Sequence, residues 1–342
     1  MRLLVTGGAG FIGSNFVRQA VQRSRQVEIL VLDLLTYAGN LENLAPVADL
    51  PTFRFSRVDI RDAAAVRDAF RSFRPEAVVH FAAESHVDRS IRSPADFVST
   101  NVTGTGVLLE AAREWPVERF LHVSTDEVYG SIPAPHAADE EWTLSPSNPY
   151  SASKAGADLL VSAYAKTHSL PVLITRASNN YGPYQFPEKL IPLMITNALA
   201  DKPLPVYGDG LQVRDWLHVR DHCRAIEAIL AAGRTGETYN IGGECSLQNI
   251  EVVRRVLDCC RKPESLIEYV LDRPGHDRRY ALDSEKIKSD TGWEPSIDFD
   301  SGLRETVRWF RDNPQWFARV RSGEYRNLYE LNYSQRGELP SV

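Results

Sequence analysis

Cysteine is scarce in this 342-residue chain. Cys223, Cys245, Cys259 and Cys260 are the whole set, none forms a CxxC, and no Cys/His spacing fits a zinc site. The expectation is reduced, buried thiols, no metal and a cytoplasmic protein. An excess of positive charge is also missing. Net charge is -6, so there is no electrostatic footprint for nucleic acid, and an anionic ligand must be held by local charge and helix termini. No stretch of about 20 apolar residues exists, which argues against a membrane span. The apolar start Leu3-Leu4-Val5 reaches Gly7 too soon for a signal peptide. Internal repeats and low-complexity tracts are absent.

What remains is an ordinary globular composition, with 43% hydrophobic and 25% charged residues. The length exceeds the roughly 250–300 residues at which single cores stop growing, so two domains, or one with a large lobe, are expected. Short apolar runs at 3–6, 28–32, 53–57, 77–81, 120–124 and 172–175 alternate with helical patterns. Continuously apolar strands between helices predict an α/β fold: a Rossmann-type, doubly wound parallel sheet covered on both faces. From about residue 180 prolines and glycines cluster, and helical patterns recur at 189–200, 219–232, 248–261 and 300–312. This predicts a smaller mixed α/β substrate-binding lobe. The boundaries read as 1–178 for the dinucleotide-binding part and 179–325 for the lobe, interleaved, with a return to the sheet near 236–242 and a tail at 326–342.

The first strand runs into Gly7-Gly8-Ala9-Gly10-Phe11-Ile12-Gly13 and then a helix. Both GxxGxxG (7, 10, 13) and GxGxxG (8, 10, 13) fit. Glycines allow a tight turn and close backbone approach to a pyrophosphate at a helix N-terminus, and the strand–turn–helix context makes the pattern a dinucleotide site. Asp33, 20 residues after Gly13, ends the second strand. Its carboxylate suits ribose hydroxyls and repels a 2′-phosphate, while Leu34 and Leu35 offer no cation, so NAD is favoured over NADP. Thr36 continues that edge. Asp33 as a plain turn residue stays an alternative. Asp59-Ile60 follows the third strand and either flanks adenine or caps a helix.

Tyr150 and Lys154 form YxxxK. On a helix opened by Asn148-Pro149 they share a face one turn apart. An ammonium beside a phenol favours the phenolate. Free tyrosine titrates near 10, so a base useful at neutral pH needs a shift of about 3 units, roughly 4 kcal/mol, from Lys154 and a positive nicotinamide ring together. Thr125-Asp126-Glu127 follows the strand at 120–124, at the carboxyl edge where open α/β sheets bind ligands. Alternation along an extended segment would give the two carboxyls different environments, one a protonated acid and the other an ionised base. A helix cap or solvated loop is the bland reading.

These residues, with the stretches 81–90, 178–184, 186–193, 213–219 and 272–280, resemble the extended short-chain dehydrogenase/reductase family and, within it, the dTDP-glucose 4,6-dehydratases. The likeness covers nearly the whole chain. Its discriminating element is the Thr125-Asp126-Glu127 triplet, because related epimerases usually have serine or alanine after the first residue. The resemblance implies three steps. Tyr150 takes the 4-hydroxyl proton as hydride leaves C4 for NAD; Glu127 takes the C5 proton while Asp126 protonates the departing 6-hydroxyl; hydride returns to C6. Thr125 would hold the 4-hydroxyl.

The same resemblance implies the remaining site residues. Phe81, Ala82, Ala83, Ser85, Thr100 and Asn180 would meet the cofactor. Ser85, Asn179, Glu188, Lys189 and Leu190 would meet the sugar nucleotide, with Pro205, Tyr207, Arg214, Asn249, Asp272, Arg273, His276 and Tyr280 around its diphosphate and base. Arg214 suits a phosphate fork, with a surface ion pair as the alternative. Lys189 has a helix-surface alternative and His276 a loop-histidine alternative. His80, His122 and His218 sit in apolar runs and read as core. Residues 243–247 and the tail beyond about 325 do not match; Asn327, Asn332 and Tyr333 would be mobile or pack on the body. A homodimer is implied, for which the segments 98–113 and 150–168 are candidates. UDP- or GDP-hexose 4,6-dehydratases, 4-epimerases, UDP-glucuronate decarboxylases and a non-catalytic NAD-binding protein remain the competing readings.

Overall fold

The computed structural model describes residues 1–24 and 26–320. The stretch 326–342, with Asn327, Asn332 and Tyr333, lies outside the described residues. The first half alternates β1 (Arg2–Thr6), α1 (Phe11–Arg23), β2 (Glu28–Asp33), β3 (Phe53–Arg57), α2 (Ala63–Phe73), β4 (Ala77–His80), α3 (Val87–Arg92), α4 (Pro94–Phe97), α5 (Thr105–Glu114), β5 (Arg119–Thr125), α6 (Pro149–His168) and β6 (Val172–Ala177). The second half adds β7 (Asn179–Tyr181), α7 (Leu190–Leu199), β8 (Leu204–Tyr207), β9 (Val213–His218), α8 (Val219–Ala232), β10 (Thr238–Ile241), β11 (Ser246–Gln248), α9 (Asn249–Cys260), β12 (Ile267–Val270), α10 (Glu285–Thr291), α11 (Phe299–Asp312) and α12 (Pro314–Val320).

Seven of the described strands form one sheet in the order β10-β6-β5-β4-β1-β2-β3, and every pairing is parallel. Side chains alternate across a strand, and both faces here are apolar. Leu3, Val5, Ile29 and Val31 join one core with Phe16 and Val17 of α1 and Ile226 of α8. Leu4, Leu30 and Leu32 join the opposite core with Phe70 of α2, Leu108 of α5 and Val161 of α6. Chain order reverses between β1 and β4, so the crevice beyond their carboxyl ends is the natural ligand site.

A third core packs α7, α9, α11 and α12 around Tyr181, Trp216 and Phe299. Two small sheets, β11-β9-β7 and β12-β8, border it. Among the described residues no helix is long and apolar enough to cross a membrane, and no group of three or more His, Cys, Asp or Glu could hold a metal ion.

Candidate active site

β1 ends in a turn that only glycine tolerates. Gly7 has φ +69°, and a Cβ there would lie 2.6 Å from the Ala82 nitrogen. A Cβ on Gly13 would lie 2.4 Å from the Gly7 carbonyl oxygen. Gly8 instead packs on Val31, so of the two glycine patterns it is 7, 10 and 13 that faces the crevice. One cavity of about 970 Å³ lies there. Gly7, Gly10, Phe11, Ile12 and Gly13 line it, with Asp33, Leu34, Leu35, Thr36, Asp59 and Ile60. Phe81, Ala82, Ala83, Ser85, Thr100, Tyr150, Lys154 and Asn180 complete the expected set on the same walls.

Asp33 has two duties. One carboxylate oxygen accepts from the Ala9 N–H at 2.9 Å and the other from Leu35 N–H at 2.8 Å, so it clamps the glycine turn as well as facing the cavity. Burial raises its pKa against those two bonds. Asp59 is not a helix cap: it pairs with Arg61 at 2.6 Å, and Asp62 caps α2 instead. Backbone amides at the start of α1, an acidic residue at the ribose edge and a long cavity fit a dinucleotide.

The carboxyl end of β5 carries Thr125, Asp126 and Glu127. Thr125 is the last strand residue, and Asp126–Tyr129 is a 3₁₀ turn, not the extended segment expected. Thr125 Oγ1 accepts from the Glu127 N–H at 3.3 Å and donates to Asp126 Oδ1 at 3.3 Å. The environments of the two carboxyls therefore diverge through a tight turn and not through strand pleating. Asp126 is 3% exposed, and its Oδ2 has no hydrogen-bond partner among the described residues. Burial first, then the adjacent Glu127 charge, push the Asp126 pKa well above the usual carboxyl range, although Arg214 pulls it down. A buried carboxyl that holds its proton more tightly than usual therefore sits beside a second carboxyl.

Helix α6 begins with a capping box between Asn148 and Ser151 and has Pro149 in its first turn. Ser153 accepts from Asn101 at 2.8 Å and pins that turn. Tyr150 and Lys154 both reach the cavity, as i,i+4 spacing requires. The phenol, however, is not made acidic by the protein alone. Burial and then Glu127 raise the Tyr150 pKa, and only the hydrogen bond with Thr125 opposes them. Lys154 donates to the Val123 carbonyl at 2.8 Å instead of to the phenol. Burial brings its own pKa down to about 8.

A second pocket of about 160 Å³ shares Glu127, Asn179, Glu188, Lys189, Leu190 and Trp216 with the first. Pro205, Tyr207, Arg214, Asn249, Arg273, His276 and Tyr280 line the rest of what was expected, while Ser85 and Thr125 line the larger cavity. Asp272 lines neither. It accepts from Gln212 at 2.9 Å and sits 2.6 Å from His276 Nδ1, so it orients the histidine. Arg214 is buried, donates to the Asp277 carbonyl at 2.9 Å and stacks 4.2 Å over Tyr280, which rules out the surface ion pair. Lys189 donates to the Ser85 carbonyl at 2.7 Å, which rules out an idle surface lysine. Glu188 is raised to about 7 by burial. Asn180 is held by His222 at 2.9 Å, whereas Asn179 keeps a buried Oδ1 without a partner among the described residues.

His80 bridges Thr6 and Thr105, and His218 caps α8, so both are core residues as expected. His122 is buried too, but its Nε2 lies 3.3 Å from Lys154 Nζ. The sequence reading missed several lining residues. His86 and Asp88 lie in the matching stretch 81–90, and Asp88 accepts from Tyr207 at 2.9 Å. Tyr37 meets Phe186 edge-on, 5.6 Å between ring centres, a contact between distant loops that no local pattern announces.

A family model described as GDP-mannose 4,6 dehydratase matches residues 4–306. A dTDP-glucose 4,6-dehydratase of Shigella flexneri is 50% identical across 98% of this chain and 100% of its own length. One from Streptomyces niveus is 53% identical across 94% of this chain and 96% of its own. Among solved structures, DesIV, a dTDP-glucose 4,6-dehydratase from Streptomyces venezuelae with NAD and TYD bound, superposes with a TM-score of 0.91 at 53% identity. It covers 94% of this chain and 100% of its own. The UDP-glucose 4-epimerase of Thermus thermophilus in complex with NAD gives 0.85 at 36% identity, over 92% of this chain and 100% of its own.

Proposed function

The chain belongs to the dTDP-glucose 4,6-dehydratase family, and from that premise we infer that it removes water from dTDP-glucose to give dTDP-4-keto-6-deoxyglucose, with NAD as cofactor. The observation that carries this reading is a buried carboxyl with a raised pKa, Asp126, beside Glu127 and Tyr150 on one cavity wall. A 4-epimerase needs neither carboxyl.

The glycine turn, Asp33 and the 81–85 segment that follows β4 would hold NAD, with Lys154 at its nicotinamide half. NAD held there would supply the hydride acceptor for C4 and the hydride donor for C6, and so would end unchanged. Tyr150, in its phenolate form, receives the 4-hydroxyl proton, and Thr125 hydrogen-bonds to its oxygen. A carbonyl at C4 makes the C5 hydrogen acidic. Glu127 takes that proton while Asp126 gives its own to the 6-oxygen; the C6–O bond breaks, a C5–C6 double bond forms and water leaves. Glu127 returns its proton to C5 as C6 is reduced. The proton gained by Tyr150 and the one lost by Asp126 then balance.

Arg214, Lys189 and His276 would face the diphosphate, where a planar guanidinium makes two parallel bonds. A cytoplasmic homodimer is part of the same reading; Leu159 at 63% and Val98 at 52% exposure leave apolar surface on the expected segments. The test is incubation of the purified protein with dTDP-, UDP- and GDP-hexoses. Alkali-absorbing 4-keto-6-deoxy product from dTDP-glucose is expected, and its absence would overturn the assignment.

A further inference from the structure

Lys154 also touches a buried polar chain that none of these steps uses. His122 of β5 and Asp158 of α6 are 0% and 1% exposed. The His122 Nε2 lies 3.3 Å from Lys154 Nζ and 3.5 Å from Asp158 Oδ1. Arg176 of β6 donates to Asp158 at 2.9 Å and to the Tyr129 hydroxyl at 2.8 Å. His122 Nδ1 has no hydrogen-bond partner among the described residues. Burying such a set costs desolvation that an apolar set would avoid, so packing alone does not account for it.

A single ring nitrogen faces both a cation and an anion. With its proton, Nε2 donates to Asp158; without it, Nε2 accepts from Lys154. We propose that His122 is a positioning residue for the Tyr150–Lys154 pair: its Nε2 accepts from the Lys154 ammonium and holds that charge in place, while Arg176 occupies Asp158. This rests on the reading that Tyr150 is the base that oxidation at C4 requires.

The surroundings suit the role. Val123 provides one acceptor for the ammonium, and burial alone already weakens it. Burial, then the Lys154 charge, hold the imidazole down to about 4, so His122 stays a neutral acceptor and not a competing cation. The groups facing this pair are few. Tyr150 and Asp158 come from α6, and Arg176 from β6. The Asp126–Glu127 turn sets its carboxyls against Tyr150. His80 of β4 lies 5.1 Å away, ring centre to ring centre, bonded to two threonines. Arg176 and Asp158 pair with each other. The Asp158 charge raises the phenol's pKa, which makes its neutralisation useful.

The experiment titrates the phenolate absorbance of the NAD-loaded protein against its Tyr150→Phe variant, without sugar. His122→Phe removes the acceptor and should move the Tyr150 titration up by about half to one pH unit. His122→Asn, polar but too short to reach Nζ, should do the same and serves if the phenylalanine variant does not fold. His122→Gln should restore the parent titration, because its amide oxygen accepts from Lys154 and its NH₂ donates to Asp158. Substrate-dependent nicotinamide reduction at neutral pH should fall about three- to tenfold in the first two variants and recover in the third. An unmoved titration in a folded phenylalanine or asparagine variant, or a glutamine variant shifted as far as they are, overturns the proposal. Since the titration needs no sugar, it stands or falls independently of whether dTDP-glucose is dehydrated.

Discussion

The turn Asp126–Tyr129 and the first turns of α6 lie at the same edge of the same sheet, and each buries ionisable groups. They manage protons in opposite ways. In the turn, Asp126 is buried with one hydroxyl for company and a negative neighbour, which raises its pKa. In the helix, Lys154 has a carbonyl acceptor and the His122 ring, and it carries charge in a place that disfavours it. Glu127 connects the two regions: its charge raises Asp126, which helps an acid, and raises Tyr150, which hinders a base. In the proposed reaction the same carboxylate would therefore favour elimination and resist the oxidation that must precede it.

That opposition can be broken at three points. Tyr150→Phe should have the largest effect, since it removes the base for the first step. Nicotinamide reduction and product formation should both fall, toward the upper end of roughly 10²–10⁴-fold. A normal rate of substrate-dependent reduction would take Tyr150 out of the mechanism.

Glu127→Gln should lower product formation about a thousandfold. Reduction of the nicotinamide by dTDP-glucose should persist, and its pH dependence should move to lower pH as the charge facing Tyr150 disappears. Full dehydration by this variant, or a shift to higher pH, would separate the two regions that the comparison joins.

Asp126→Asn should slow elimination by about a hundredfold and leave the first reduction intact. It has a further signature in stability. The folded protein holds the Asp126 proton more tightly than the unfolded chain, so the contribution is full below the unfolded carboxyl value near 4 and is lost as pH rises through the raised folded value. The melting temperature of the asparagine variant should therefore gain on that of the parent as pH increases. A difference independent of pH would mean that Asp126 is ionised in the native protein.

Legibility followed the range of the interactions. The strand at 120–124 and the glycines at 7, 10 and 13 were readable because short apolar runs and glycine spacing are local. Asp126-Glu127 reads as extended in the sequence and is a 3₁₀ turn in the structure, because no local rule distinguishes a strand's last residues from a turn capped by Thr125. Asp272 reads as pocket wall from its place in a matching stretch; its carboxylate instead bonds Gln212 and His276. Tyr37 was missed because its neighbour Phe186 is a loop away across the crevice.

By itself the sequence determined the short apolar strands, the glycine turn and which titratable types follow the strand at 120–124, since each depends on residues within a few positions of one another. Only the tertiary structure decided protonation. Burial in a shared low-dielectric wall, and the charges brought beside each group, push the Asp126 and Tyr150 pKa up and that of Lys154 down, and neither influence exists until the chain is folded.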